Sequence, residues 1–456
     1  MSEKKCPFKD LLEPRGDDGY PFINSFPSVA WDIVGFLVKT REKYGDIAKF
    51  KIFGFTNYLV SHPDDIAQVL KKEKSGHYMK KRLYEAFYPA FGNGLFNSYG
   101  QDWEQQRKQL QPFFNKSKVS EWFPLVVDES LKQFQEISDR SAINAENVIQ
   151  PLMQSIMSHI LFGLKPEDKN SQQLIQAIEL VSEKLADHGI KSFVFNGLLN
   201  KLPTPGNLKY KAALKTIDNT IRDISENESR DTENSLLPLF AQFMNPKELR
   251  DQLFTLYFAG QETIISTLLW VLYYLAQHPE HQARGRAEVV EGWPTKKAVH
   301  FAALDRFVFL NAAIDEAMRL APAAFLTYKD VAQDTQLGAY KLKEDGLVTL
   351  SMYVTHRHPD LWEDPLEYKP ERFLHRTNKG YAFYPYGGGM HMCIGMHLAR
   401  MEITTIMALF LRSFEFKLKP GAKVIPVTHL TLKPKHGIPL LINSLDFIKT
   451  DENTTR

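Results

Sequence analysis

The residues best suited to chemistry concentrate in one stretch, Phe383-Tyr-Pro-Tyr-Gly-Gly-Gly-Met-His-Met-Cys-Ile-Gly-Met-His-Leu-Ala-Arg. Three consecutive glycines let the backbone take positive φ and approach something flat and bulky. Cys393 follows at the expected start of a helix, where backbone N–H groups and the helix dipole favour thiolate over thiol. A thiolate held by amides is a metal ligand or a nucleophile. From these residues alone three readings compete. Cys393 is a buried, inert thiol, or it joins His391 and His397 around zinc, although that spacing matches no usual zinc pattern. In the third reading it is an axial thiolate to haem iron, with the glycine loop lying against the porphyrin.

Other groups need positioning too. Ala259-Gly260-Gln-Glu262-Thr263 interrupts FTLYFAGQETIISTLLWVLYYLA, an otherwise apolar helical run. A buried unpaired carboxylate is costly, and a helical Thr can bond back to the i−4 carbonyl and bend the helix. The plainer alternative puts Glu262 on a solvated seam. Glu316 and Arg319 share one helix face, an arrangement worth little at a surface. Trp103 and Arg107 lie four apart on another helix, offering an indole N–H and a fixed cation; for Trp103 simple core packing is the alternative.

The elements that must hold these groups are legible from periodicity. Residues 46–53 and 57–61 predict a β-hairpin around Gly54-Phe55, and Pro63 opens a helix with acids in its first turn. From Asp102 to about Glu316 helical spacing dominates, broken by loops such as Pro203–Asn207. A further helix runs to Arg319 and stops before Pro322. Residues 325–380 mix short β-like runs (GLVTLSMYV) with turns. An apolar helix is expected from about Gly395 to Phe414, and the tail THLTLKPKHGIPLLI returns to strand. The order implies a mainly α protein with a small β-sheet region built from distant segments, in one interleaved domain. That domain is expected over 26–445, with a flexible N-terminus (1–25) and a flexible C-terminal tail (446–456).

Composition sets the outer limits. The 456 residues are 43% apolar and 24% charged, so disordered and collagen-like classes are excluded. Their net charge of +2 gives no reason to expect nucleic acid as a partner. The two cysteines, Cys6 and Cys393, make a structural disulfide unexpected and suit a reducing compartment. No run reaches the ~18–20 apolar residues of a membrane span, and the charged N-terminus lacks a signal-peptide core. A soluble, cytoplasmic protein is expected.

The cysteine segment resembles the haem-binding signature of the cytochrome P-450 family, the haem-thiolate monooxygenases. Gly387, Gly389, His391, Cys393 and Gly395 fill the signature's places, and Ala399 and Glu402 continue the following helix. Tyr386 stands where Phe is usual, and His391 where Arg is more frequent. Pro370-Glu-Arg372-Phe resembles the segment whose arginine completes a buried network with Glu316 and Arg319. The Trp103–Arg107 helix resembles the one that grips a haem propionate, with His391 and Lys329 as further propionate candidates. By the same resemblance, Ala259 and Gly260 make room for oxygen above the haem, and Glu262 with Thr263 forms the acid–alcohol pair that delivers protons. Four motifs in the right order span about residues 30–443.

The resemblance implies haem b as cofactor and O2 as co-substrate. One oxygen atom would enter a C–H or C=C bond of a hydrophobic substrate such as a fatty acid, terpenoid or steroid. Electrons would come from a separate donor, a ferredoxin or flavodoxin with an NAD(P)H reductase, docking on Arg107, Lys108, Lys116, Lys118 and Arg400. The family topology points to Tyr84, Phe87, Tyr88, Phe91, Leu256, Ala323, Ala324, Phe325 and Leu430 as pocket walls, and to residues 192–202 as a lid or membrane-brushing loop. A monomer without a transmembrane anchor is expected. The alternatives are a haem-thiolate peroxygenase or hydroperoxide isomerase, and a non-catalytic haem-binding sensor.

Overall fold

A computed structural model describes residues 11–165, 167–194, 203–226, 235–375 and 380–449, with side chains of 186–194 excluded. Most of residues 192–202 therefore lie outside the description; 192–194 close the helix Lys169–Val194. Helices dominate the middle of the chain and strands its two ends. A six-stranded sheet is assembled from Gly16–Asp17, Ile47–Ile52, Phe55–Val60, Leu347–Leu350, Thr327–Val331 and Tyr78–Met79, in that spatial order. Strands separated by almost 300 residues thus lie side by side, Asn57–Val60 running parallel to Leu347–Leu350. A three-stranded sheet joins Phe414–Leu418, Pro439–Ser444 and Ala142–Asn144.

The expected hairpin forms, Ile47–Ile52 pairing antiparallel with Phe55–Val60. Phe53 and Gly54 both take positive φ (47° and 82°), the pairing of signs that a two-residue hairpin turn with matching twist requires. Within the stretch assigned to a flexible N-terminus, Gly16–Asp17 pairs in parallel with Lys49–Phe50. Asp446–Lys449, in the assigned C-terminal tail, is a short helix with Phe447 and Ile448 buried. The proline-rich Pro203–Asn207 segment is only partly a loop. Pro205 opens the helix Pro205–Glu226, because proline's fixed φ and missing N–H suit a first helical turn.

The helix Pro246–Gln277 forms the spine. At 1.5 Å per residue its 32 residues run about 48 Å. Asn245 caps it with a reciprocal box to Glu248, and Pro246 sits at its first position. It touches Glu146–Phe162, Val308–Leu320 and Met396–Ser413, and most of its buried residues belong to the largest core cluster.

Two of its polar residues also hold the aromatic loop at 84–96. The buried Asp251 carboxylate accepts from the Asn93 N–H at 2.9 Å, and Gln252 accepts from the Leu95 N–H at 3.0 Å. Gly92 is obligatory beside them: a Cβ there would lie 2.1 Å from the Asp251 carboxylate, and its φ is +53°. On the other side of the loop, Asp330 accepts from the backbone N–H groups of Lys81 (3.1 Å) and Arg82 (2.9 Å).

Asn245→Ala is expected to cost about 1 kcal/mol of stability, read as a lowered melting temperature, without altering the ligand spectra of the assembled protein.

Candidate active site

The turns of the Cys393 loop are closed by backbone hydrogen bonds. The Gly387 N–H donates to the Tyr384 carbonyl and the Cys393 N–H to the Tyr386 carbonyl, each at 2.9 Å. Gly387 and Gly389 hold positive φ (74° and 65°). Gly388 serves packing instead: a Cβ there would meet the Tyr381 ring at 2.3 Å and Leu70 at 2.9 Å. Two of the three glycines therefore take the positive φ expected of them, and the third is required by its neighbours.

Cys393 precedes the helix Met396–Ser413, whose N-cap is Gly395. Burial pushes its thiol up, against the Gly395 N–H and the Arg107 charge, which pull it down. The expected thiolate stabilisation by the helix start is therefore outweighed in the protein alone. The residue is deep enough for burial to dominate, yet it is accessible.

The Glu316–Arg319–Arg372 network assembles. Arg319 Nε and Nη2 donate to the two Glu316 carboxylate oxygens at 2.7 and 2.8 Å, and Arg372 Nε donates to Glu316 Oε1 at 3.2 Å. Glu316 and Arg319 are fully buried. The remaining Arg319 donors bind the carbonyls of His356 (2.8 Å), Pro365 (2.7 Å) and Glu367 (3.0 Å). The ring of His356 then accepts the Tyr384 N–H through Nε2 at 3.0 Å. A continuous polar path therefore runs from Glu316 through Arg319 and His356 to the loop that carries Cys393.

Nothing in the sequence signalled His356, which lies 37 residues beyond Arg319. Burial, and then the Arg319 and Arg357 charges, push its pKa down to about 3, so it stays neutral and able to accept.

Against the loop, Trp103 is buried and its ring lies 4.3 Å from that of His391. Arg107 donates to the Met392 carbonyl at 2.8 Å. Glu73, which sequence reasoning missed, accepts from Lys329 Nζ at 2.5 Å and pairs with His391 Nδ1 at 2.8 Å. Lys329 and His391 are 3.5 Å apart. Glu73 ends the helix Pro63–Glu73 in a run of lysines that reads as a solvated face, so no local signal marks it.

On the spine helix, Ala259 is exposed and Gly260, Glu262 and Thr263 are half-buried, within a stretch whose neighbours are buried. The Thr263 hydroxyl donates to the Ala259 carbonyl at 2.8 Å, the back-bond expected of a helical Thr. Gly260 has a structural reason: a Cβ there would come within 2.6 Å of the Met157 methyl. Glu262 lies 3.9 Å from Lys433 on a partly exposed seam.

The rings of Phe87, Phe91 and Phe96 pack together, and Phe91 meets Phe254 and Phe258 of the spine at 5.2 and 5.1 Å. Tyr84 joins through Phe96 at 5.3 Å, whereas Tyr88 is half exposed. Leu256 is buried in the same core, and Leu430 packs against it from the far side. Ala323 is buried and Ala324 half-buried; the Ala323 carbonyl takes the Leu432 N–H at 3.0 Å. Phe325 departs from the expectation of a pocket wall: it is buried in a second cluster with Val29, Phe50 and Trp270.

A family model, cytochrome P-450, matches residues 14–441. The chain belongs to the cytochrome P-450 family. It is 26% identical over 392 residues to cyclooctat-9-en-7-ol 5-monooxygenase of Streptomyces melanosporofaciens, covering 83% of this chain and 84% of that protein. To the pentalenene oxygenase of Streptomyces avermitilis it is 28% identical over 414 residues, covering 87% and 89%. Among solved structures, the retinoic acid bound cyanobacterial CYP120A1 superposes with a TM-score of 0.83 at 22% identity, over 95% of this chain and all of that one. As a cytochrome P-450, the protein is a monooxygenase that works with haem iron and O2, a hydrophobic substrate and a redox partner.

The residues present suit such a group. Cys393 is accessible, and on the same loop and the facing helix His391 Nε2 and Glu73 Oε2 are buried without hydrogen-bond partners. Zinc is disfavoured, because no group of three His, Cys, Asp or Glu side chains among the described residues could hold a metal. The basic docking patch is largely neutralised: Lys116 pairs with Asp305, Lys118 with Glu121 and Arg400 with Asp315, each at 2.5 Å.

Arg319→Ala leaves the Glu316 charge buried and is expected to cost about 3–5 kcal/mol, measured by denaturant unfolding. Protonation at His356 bears on acid stability. Its folded pKa of about 3 lies below the unfolded value near ~6.5, so the unfolded chain binds the extra proton. Stability therefore falls as pH drops from about 6.5 towards 3. His356→Gln is expected to flatten that part of the melting-temperature profile.

Proposed function

We propose that this cytochrome P-450 hydroxylates a terpenoid or fatty acid, using haem b bound through Cys393, within a catalytic unit over residues 26–445 to which strand Gly16–Asp17 is added. The observation that carries the cofactor assignment is the cysteine sulfur lying accessible inside the fold, on a loop tied to the Glu316–Arg319 network. When bound, the haem supplies oxygen activation, with electron density from the thiolate favouring O–O cleavage. The protein's part is to bind, orient and control protons.

Trp103, Arg107, His391 and Lys329 are assigned to the propionate side, with Tyr386, Gly387 and Gly395 shaping the thiolate loop and Ala259 and Gly260 bordering the cleft on the spine. Glu316, Arg319 and Arg372 act by keeping that loop in place. Thr263 holds a proton-relaying water as an acceptor, because its own hydroxyl hydrogen is engaged by the Ala259 carbonyl. Glu262, beside Lys433 at the seam, takes protons from solvent towards Thr263.

The substrate class is read from the ring cluster of Phe87, Phe91 and Phe96 with Tyr84. The names of the Streptomyces relatives support the terpenoid arm. Electrons are assigned to a ferredoxin or flavodoxin, and the working form to a cytoplasmic monomer. No described helix is long and apolar enough to cross a membrane.

The ferrous–carbon monoxide spectrum tests the assignment: a strongly red-shifted thiolate-type Soret band is expected, and an ordinary histidine-type band would overturn it. Thr263→Ala is expected to keep that band while lowering product per electron and raising peroxide. Full coupling in that variant would remove Thr263 from the relay.

A further inference from the structure

The seam at which Glu262 meets solvent holds a second carboxylate that the site as described does not use. Leu432 fixes this seam to the spine helix. Its carbonyl accepts from Ser266 Oγ at 2.6 Å and from Trp270 Nε1 at 2.8 Å, about one and two turns beyond Glu262. The next residue, Lys433, lies 3.9 Å from the Glu262 carboxylate.

Glu146 enters from a third element, as the first residue of the helix Glu146–Phe162, and is half-buried. Asn144 clamps it to the turn after Lys433. The Asn144 side-chain oxygen accepts from the N–H groups of Glu146 (3.2 Å) and Ile438 (3.1 Å), and its Nδ2 donates to the His436 carbonyl (3.0 Å). Gly437 takes a φ of +66°, and a Cβ there would come within 2.8 Å of that of Glu146. The turn carrying the exposed His436 is thus seated on Glu146, with Lys433 and Glu262 half-buried beyond it. Burial pushes the Glu146 carboxyl up; Lys433 pulls it down, Glu262 pushes it up and His436 pulls it down. Two carboxylates grouped with one ammonium favour the retention of a proton.

We propose that Glu146, clamped by Asn144 at the Lys433–Glu262 seam, is the proton store that reloads Glu262, with Lys433 as the positioning residue between them. The proposal rests on the reading of Glu262 and Thr263 as the proton relay. Neither Glu146 nor Lys433 touches the reacting atoms; both act through Glu262. For each proton delivered, the O–H bond of Glu146 breaks and one forms on Glu262. Glu146 is then recharged from solvent beside His436, and no electron moves.

The first test needs no substrate. Holoprotein carrying glutamate labelled with carbon-13 at Cδ is titrated by NMR in its diamagnetic ferrous–carbon monoxide form, the Glu146 signal being the one lost in Glu146→Gln. Its midpoint is expected to rise in Lys433→Met, to return in Lys433→Arg and to fall in Glu262→Gln. A midpoint that Glu262→Gln leaves in place would overturn the proposal. Where Glu146→Gln does not fold, Glu146→Asp assigns the signal and the same criterion applies.

The second test is turnover of dodecanoic acid with a ferredoxin and its reductase. Glu146→Gln is expected to release several-fold more peroxide per electron, and the excess should grow as pH rises and solvent protons become scarce. A purely structural loss would not follow pH in that way. Wild-type coupling in Glu146→Gln beside an uncoupled Thr263→Ala overturns this proposal alone. Full coupling in both variants removes the Glu262–Thr263 relay and the proposal with it.

Discussion

The fully buried ion pair between Glu316 and Arg319 is the constraint on which the site depends. Two charges removed from water are tolerable only when every donor and acceptor is engaged. Here that demand reaches outward: Arg319 needs the carbonyls of His356, Pro365 and Glu367, while Glu316 takes Arg372 and the Lys369 N–H. Segments on both sides of the short helix Met352–Thr355 are thereby tied to one point. Through the His356 ring the same demand orders Tyr384, whose carbonyl closes the turn at Gly387. The pair is thus a device for position, and its electrostatic cost is offset by the loop geometry it enforces.

A second polar centre works differently. Glu73 draws together a lysine from the six-stranded sheet and a histidine from the cysteine loop, joining the β region to the helical core. A permanent guanidinium, the residue more frequent at position 391 in the resembled signature, would need no such partner to stay charged. His391 does: burial lowers its pKa, and the Glu73 carboxylate acts in the opposite direction. At this position the histidine is thus paired with an acid from a distant helix, and the pair sets the local electrostatics.

Legibility varied with the range of the interaction. The hairpin, the helix at Pro63 and the helix after the cysteine depend on local chemistry: turn residues, a proline at the first position, apolar spacing. Thr263 bonding to Ala259 is equally local, four residues apart. Gly388 and Gly260 were harder to read, because the atoms that forbid a Cβ come from Tyr381 and Met157, packed there by other elements. Phe325 looked like any apolar wall residue, and only its packing beside Val29 and Trp270 separates it from the pocket. The lysines and arginines around 107–118 and 400 read as a patch because their partners, Asp305 and Asp315 among them, are remote in sequence.

By itself the sequence determined the chemistry available and the family it belongs to. Both rest on residue types at short fixed offsets, such as the glycines and histidine around Cys393 and the Glu316–Arg319 spacing. Tertiary structure alone decided which charges meet. Glu73, Lys329 and His391 come from three separate segments, and their effects on one another exist only within the low-dielectric interior that folding creates. The same holds for Cys393, whose accessibility is set by how the surrounding loop is packed. Coulombic and steric terms depend on distance in space, and a linear pattern records distance only along the chain.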